Sequence, residues 1–149
     1  RADAAAAWAA AAEAPRWGPI ALLAAAVPPR LTAGRTVTVT LAWRADGPTD
    51  ASLSTAVQLV TAAGDAVASG DGLPVGGSAP TDRWRAGDLV VSRHTVAVPA
   101  DAPPGPAVLN VGWYALHYPD GPTAPPRFET VADDRGRAVA PAATTVVVR

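Results

Sequence analysis

Cysteine, lysine and methionine are all absent from this chain of 149 residues. Without cysteine, the chain has no disulfide framework, no thiolate zinc site and no cysteine nucleophile. All twelve basic residues are arginine, a bias that we attribute, together with the abundance of alanine, to a GC-rich genome. Because even position 1 lacks methionine, we expect the chain to be processed or excised from a longer polypeptide.

Amide side chains are also scarce, since the chain has one asparagine, Asn110, and one glutamine, Gln58. Proline, in contrast, occurs sixteen times. Few thermolabile side chains and many prolines in loops are typical of heat-adapted proteins. The composition therefore favours a thermophilic source.

The chain has neither a long apolar run nor an excess of charge of one sign, and its net charge is −1. A membrane span needs about 18 or more apolar residues free of charge, so we expect no transmembrane segment. Scattered charges provide no electrostatic footprint for nucleic acid or for an anionic membrane surface. We therefore expect no nucleic-acid partner.

Short segments in which apolar and polar residues alternate make up most of the chain after residue 16. In the clearest one, Thr36 to Arg44, Val37, Val39, Leu41 and Trp43 share one face, which predicts a half-buried strand. Counting such segments gives about seven strands, with Gly and Pro turns about every 8–12 residues. This pattern predicts an all-β fold, an Ig-like or jelly-roll-like antiparallel β-sandwich.

The connections between these strands are set by turn residues. Ala63-Gly64-Asp65 predicts a hairpin between the strand Leu53 to Thr61 and a short strand around Val67. We expect a second hairpin between Leu89–Val98 and Pro106–Tyr118, and at most one short hairpin, Asp133 to Val139, within the polar segment 119–142. The remaining predicted strands are Ile20–Val27 and Thr144–Val148.

Residues 2–14 differ from the rest of the chain because they are almost pure alanine around Trp8. A helix of this length is marginal alone, so the segment is either a linker or a short helix that docks through Trp8. We therefore divide the chain into an Ala-rich N-terminal extension (1–16) and a β-sandwich domain (17–149).

Groups suited to acid–base catalysis are few, since the chain has only two His and two Glu residues. Ser92 and His94 share a strand face, but no carboxylate completes a triad with them in the sequence pattern. The aspartates of the Gly-rich segment, Asp71, Asp82 and Asp88, suit turn capping better than a calcium site. We therefore expect no enzymatic activity, no cofactor and no metal.

Aromatic residues are the best candidates for ligand contact. Tyr114 and Tyr118 lie in phase on one strand and can form a stacking platform, with Trp84 and Trp17 as further candidates. In the alternative interpretation, Trp84 packs over the end of the sandwich and pins a loop. The tyrosine face, for its part, can be covered by segment 119–142 near Phe128. Trp43 and Trp113 have the inward phase of their strands and are expected in the core.

Several spaced residues carry a resemblance to a known family over residues 18 to 148. They are the strand LTAGRTVTVTLAW at 31–43, the hairpin 57–64, Asp71, Pro74, Pro80-Thr81, Trp84, Gly87, the turn PADAPPG and VGWY at 111–114. With these features the chain resembles the extracytoplasmic C-terminal β-sandwich of bacterial multi-pass membrane glycosyltransferases of the protein-mannosyltransferase type.

That resemblance implies a non-catalytic accessory module at the cell surface or membrane, without active-site residues of its own. Its partner would be another protein or the membrane portion of the same polypeptide. Two further hypotheses remain open. The chain is a carbohydrate-binding module that uses its exposed aromatic rings, or a structural subunit that docks on an assembly through the Ala-rich segment around Trp8.

Overall fold

Ten strands form two sheets in the computed structural model, which describes residues 15–133 and 139–148. The first sheet has the order β1-β2-β4-β7 and consists of β1 (Arg16–Trp17), β2 (Ile20–Ala26), β4 (Thr36–Ala45) and β7 (Leu89–Ala97). The second has the order β3-β10-β8-β5-β6 and consists of β3 (Leu31–Thr32), β5 (Ser54–Thr61), β6 (Ala66–Ser69), β8 (Gly105–His117) and β10 (Val139–Val147). The last strand, β9 (Arg127–Val131), pairs with β8 outside that order. The predicted all-β sandwich is confirmed.

The alternation in β4 has the predicted consequence, because Val39, Leu41 and Trp43 are fully buried. The hairpin between β5 and β6 is also present, and its turn uses Gly64 at a positive φ of 90°, a conformation that glycine adopts readily. Except for the parallel β3–β10 pair, the strand pairs of the described residues are antiparallel.

The predicted hairpin between Leu89–Val98 and Pro106–Tyr118 is wrong. Strand β7 pairs with β4 in the first sheet, whereas β8 pairs with β5 and β10 in the second. The Pro-rich segment between them therefore crosses from one sheet to the other. Alternation indicates which face of a strand is buried but not which strand lies beside it. The sequence pattern is therefore compatible with a hairpin within one sheet and with a connection that crosses between the sheets.

Strand β9 was not predicted, because it lies in a segment that has the composition of a loop. Four of its five residues, from Arg127 to Thr130, are exposed, so the strand carries no apolar alternation. Strand β10 starts at Val139, five residues earlier than predicted. The hairpin expected at 133–139 falls on residues 134–138, and the helix or linker around Trp8 falls on residues 1–14. Both lie outside the described residues.

Four tryptophans form a continuous chain of ring contacts through the core. The ring centroids of Trp17 and Trp43, both in the first sheet, are 5.9 Å apart, and Trp43 lies 4.7 Å from Trp113 in the second sheet. Trp113 in turn contacts Trp84 edge to face at 5.9 Å. The inward positions predicted for Trp43 and Trp113 are confirmed. The row of contacting tryptophan rings joins the two sheets.

Candidate functional site

Two of the four predicted ligand-contacting residues lie in the core. Trp17 is 1% exposed and Trp84 is 4% exposed. The indole N–H of Trp84 donates to the carbonyl oxygen of Ala79 at 2.8 Å, which ties the loop before β7 to the end of the sandwich. Because neither ring has an open face, the structure corrects the expectation of ligand contact for these two residues. Trp84 instead has the alternative, loop-pinning role.

Tyr114 lies on the outer face of the second sheet, where its ring contacts that of Phe128. The two centroids are 5.3 Å apart and the ring planes are tilted by 48°. Strand pairing places Phe128 beside Leu116, one step along the same face from Tyr114. Phe128 is 68% exposed and Tyr114 is half-buried, so the pair presents aromatic surface to solvent.

Tyr118 lies just beyond the end of β8 and is 50% exposed. The ring in contact with Tyr114 is that of Phe128, which was expected only near the segment that could cover this face. The sequence around Phe128 gives little sign of a strand, because Phe128 and Val131, the apolar residues of β9, do not alternate with its polar residues.

A groove of about 460 Å³ runs beside this aromatic pair. Its floor is low because Ala56 on β5 lies directly opposite Gly112 on β8, and neither has a side chain beyond Cβ. The next pair along the same face, Gln58 opposite Asn110, carries amide groups. We call this region the Tyr114 surface, and its lining residues are Ala56, Gln58, Asp71, Trp113, Tyr114, Phe128 and Thr130.

Asp71 supplies the carboxylate of the Tyr114 surface, and the backbone holds it in place. Residues 70–72 continue along β5, where Gly70 donates to the carbonyl of Val57 and Gly72 exchanges two hydrogen bonds with Thr55. Between these bonds, the N–H of Val57 donates to Oδ1 of Asp71 at 2.8 Å. The carboxylate therefore replaces a backbone carbonyl in the ladder and has a fixed position.

Ser54 and Asp71 are the side chains that influence the ionisation of the Tyr114 hydroxyl. Partial burial raises the pKa of Tyr114 above its ordinary value, and the negative charge of Asp71 raises it further. Near neutral pH the hydroxyl is therefore protonated and is available as a hydrogen-bond donor. The surface combines aromatic rings, a carboxylate, amides and a hydroxyl, which is the composition expected for a site that binds a polar ligand with apolar faces.

Ser92 and His94, the only serine–histidine pair singled out in the sequence, are hydrogen-bonded but enclosed. Their exposed fractions are 1% and 4%. The indole N–H of Trp43 donates to Ser92 Oγ at 3.0 Å, and Ser92 Oγ lies 2.9 Å from Nε2 of His94. Nδ1 of His94 lies 2.9 Å from the carbonyl oxygen of Gly70.

These contacts define the tautomer of His94. Since a carbonyl oxygen only accepts hydrogen bonds, Nδ1 carries the proton, and Nε2 accepts from the hydroxyl of Ser92. Burial lowers the pKa of His94, against the smaller opposing effects of the bond to Gly70 and the charge of Asp71. The pair thus acts as a structural link between β7 and residues 70–72, and its hydroxyl is not accessible to a substrate.

A second groove, of about 350 Å³, lies at the end of the sandwich beside the Gly18-Pro19 turn. Trp17 and Leu53 contribute apolar lining, and the polar lining includes His117 and Glu129, whose side chains are in contact. Since Trp17 is buried, none of the described residues that line this groove presents an exposed Trp, Tyr or Phe ring to a ligand, in contrast to the Tyr114 surface.

Within residues 15–133 and 139–148, no group of three or more His, Asp or Glu side chains is placed to hold a metal ion. In the same part of the chain, no helix is long and apolar enough to cross a membrane.

Comparisons with known proteins give little information about this chain. No protein-family model matches it, and no curated protein sequence matches it. Among solved structures it is similar to AvmM, which catalyses macrocyclization in alchivemycin A biosynthesis. The two chains are 14% identical, the match covers 86% of this chain and 88% of that chain, and the TM-score is 0.43. At this level of similarity the match bears on neither the activity nor the ligand of the present protein.

Proposed function

We propose that this protein is a non-catalytic, extracytoplasmic accessory module that binds a carbohydrate on the Tyr114 surface. The observation that carries the proposal is the exposed Tyr114–Phe128 ring pair beside the fixed carboxylate of Asp71 and the amide of Gln58. A sugar ring has an apolar face of C–H groups and a rim of hydroxyls. Aromatic rings suit the first, and carboxylate and amide groups suit the second.

The absence of catalysis is part of the proposal and has two supports. The Ser92–His94 pair is enclosed in the core. The described residues that line the Tyr114 surface include a single carboxylate, that of Asp71, whereas glycoside hydrolysis commonly uses two carboxyl groups on either side of the bond.

Association with a membrane glycosyltransferase-like protein, and location outside the cytoplasm, rest on the sequence resemblance alone. In such a protein, a module that binds glycan would hold the acceptor or the product near the membrane portion. A protein partner, or the membrane portion of the same polypeptide, remains part of the proposal.

A glycan microarray followed by isothermal titration calorimetry with the strongest binder tests this function. Tyr114→Ala removes one ring of the pair and should weaken binding about tenfold or more, which corresponds to about 1.4 kcal/mol or more. Tyr118→Ala is the matched control, since it removes an exposed tyrosine outside the groove lining and should bind as the wild type does. Thermal unfolding of both variants establishes that each is folded. Wild-type binding by a folded Tyr114→Ala variant, or no binding to any glycan, would refute the proposal.

A further inference from the structure

We infer that the Tyr114 surface selects a single, uncharged glycan chain over acidic polysaccharides and over the flat faces of polysaccharide crystals. This inference rests on the proposed function and names the class of carbohydrate that the site accepts. Two independent features of the surface support it, the orientation of its rings and the sign of its fixed charge.

The orientation of the rings excludes a flat ligand surface. A crystal face can contact two aromatic rings at once only if the rings are coplanar. The planes of Tyr114 and Phe128 are tilted by 48° while their centroids lie 5.3 Å apart. Rings in this arrangement form two walls at an angle, which suits a chain that turns or a single sugar held between them.

The groove beside the rings also suits a single chain. Its floor is formed where Ala56 lies opposite Gly112, and the taller Gln58–Asn110 pair follows along the same face. The recess is thus bounded by aromatic rings on one side and by amides on the other. A chain that lies in it can place one face on the rings and direct its hydroxyls to the amides.

The charge of the surface opposes acidic sugars. Asp71 is held by the N–H of Val57 and cannot move away without losing that bond. None of the described residues that line the groove is cationic. Arg127 is the neighbour of Phe128 on β9, but it lies opposite His117 and so has the other phase of the strand. A sugar carboxylate or sulfate would therefore meet a like charge without the arginine partner that such groups usually require.

Matched oligosaccharides provide the test. Binding of maltohexaose, cellohexaose and mannohexaose is compared by calorimetry with binding of the same hexamers oxidised at C6 to uronic acids. We expect at least one neutral hexamer to bind at least tenfold more tightly than its oxidised form. Equal or tighter binding of the oxidised form, or no binding of any neutral hexamer, would overturn the inference.

Asp71→Asn isolates the role of charge, because the amide oxygen can still accept from Val57 N–H. This variant should narrow the difference between neutral and oxidised hexamers by raising affinity for the oxidised form. An unchanged difference in affinity between neutral and oxidised hexamers would show that Asp71 does not provide the selectivity.

A second experiment tests the role of the ring orientation. Microcrystalline cellulose should remove no more of the wild-type protein from solution than of the Tyr114→Ala variant. Depletion beyond that level would contradict the exclusion of crystal faces.

The experiments distinguish a failure of this inference from a failure of the proposed function. If the microarray detects acidic glycans whose binding depends on Tyr114, the proposed function stands and the inference fails. If no glycan of any charge is bound, both fail.

Discussion

Nδ1 of His94, on a strand of the first sheet, lies 2.9 Å from the carbonyl oxygen of Gly70, which follows the edge strand of the second. The residue after Gly70 is Asp71, the carboxylate of the Tyr114 surface. A neutral histidine therefore joins the two sheets at the segment that carries the candidate ligand-binding group, and Ser92 holds the other side of its ring.

The pH dependence of stability should report this contact. Burial lowers the pKa of His94 from its ordinary value of 6.5, so the folded chain takes up this proton at a lower pH than the unfolded chain does. Its contribution to the free energy of unfolding is fully present above pH 6.5 and is lost as pH falls below that value. Urea unfolding measured at pH 8, 7, 6 and 5 should show this loss.

Two variants test whether His94 causes this loss of stability. In His94→Gln the free energy of unfolding should no longer decline between pH 7 and pH 5. In His117→Gln, which changes an exposed histidine, the decline should remain. Asp46 does not contribute in this range, because its hydrogen bond to Arg16 lowers its pKa from 3.8, and its contribution is lost only below that pH. A wild-type stability that stays constant down to pH 5 would contradict the assigned role of His94.

Gly70 should tolerate no side chain. A Cβ at this position would lie 2.8 Å from the carbonyl oxygen of Thr95 and 2.9 Å from Cγ2 of Val96, so the backbone of β7 would have to shift. We expect Gly70→Ala to lower the free energy of unfolding by about 1–3 kcal/mol, as overpacked sites do. Since the displaced segment includes Asp71, glycan binding should weaken as well.

The matched control is Gly72→Ala, two residues away in the same segment. A Cβ there has no atom within 4 Å. Chemical denaturation of both variants should therefore show a clear loss for Gly70→Ala and a change within about 0.5 kcal/mol for Gly72→Ala. Equal losses of stability in the two variants would mean that the close contact of Gly70 with β7 does not cause the loss in Gly70→Ala.

Trp84 should be important for stability and not for direct ligand contact. It is buried, contacts Trp113 and donates a hydrogen bond to Ala79, so Trp84→Ala should cost about 3–5 kcal/mol. Tyr118→Ala, at an exposed ring, should change the free energy of unfolding by less than about 0.5 kcal/mol. Similar unfolding midpoints in denaturant for the two variants would contradict the structural role of Trp84.

The strands that the sequence identified are those with one buried face. In β4, alternation of Val39, Leu41 and Trp43 reports burial directly, so the prediction from pattern agrees with the structure. Strand β9 has no such signal, because it lies at the side of β8 with almost all of its residues exposed. It is nevertheless the strand that supplies Phe128 to the candidate site.

The pairing of strands and the composition of the site depend on contacts between distant residues. Nothing in the local sequence shows that Asp71 replaces a carbonyl beside Val57, or that Gly70 lies against Thr95. Tyr114 was identified because its position on β8 follows from alternation. Its partner was not, since the ring contact joins two strands across a loop of nine residues, 118–126.

The titration of Tyr114 should reveal its electrostatic interaction with Asp71. Burial is the first cause of its raised pKa and Asp71 is the second, so the wild-type value should exceed the ordinary 10.0. Asp71→Asn should lower that pKa part of the way towards 10.0, because the charge is removed while the burial remains. The chain has only two tyrosines, so NMR titration of the Tyr118→Phe background follows Tyr114 alone.

The control is Asp88→Asn, which removes a carboxylate that is hydrogen-bonded to the backbone of Arg85. This variant should leave the pKa of Tyr114 unchanged. An Asp71→Asn variant whose Tyr114 titrates as in the wild type would show that the ring and the carboxylate do not act together, and would remove the electrostatic basis of the proposed site.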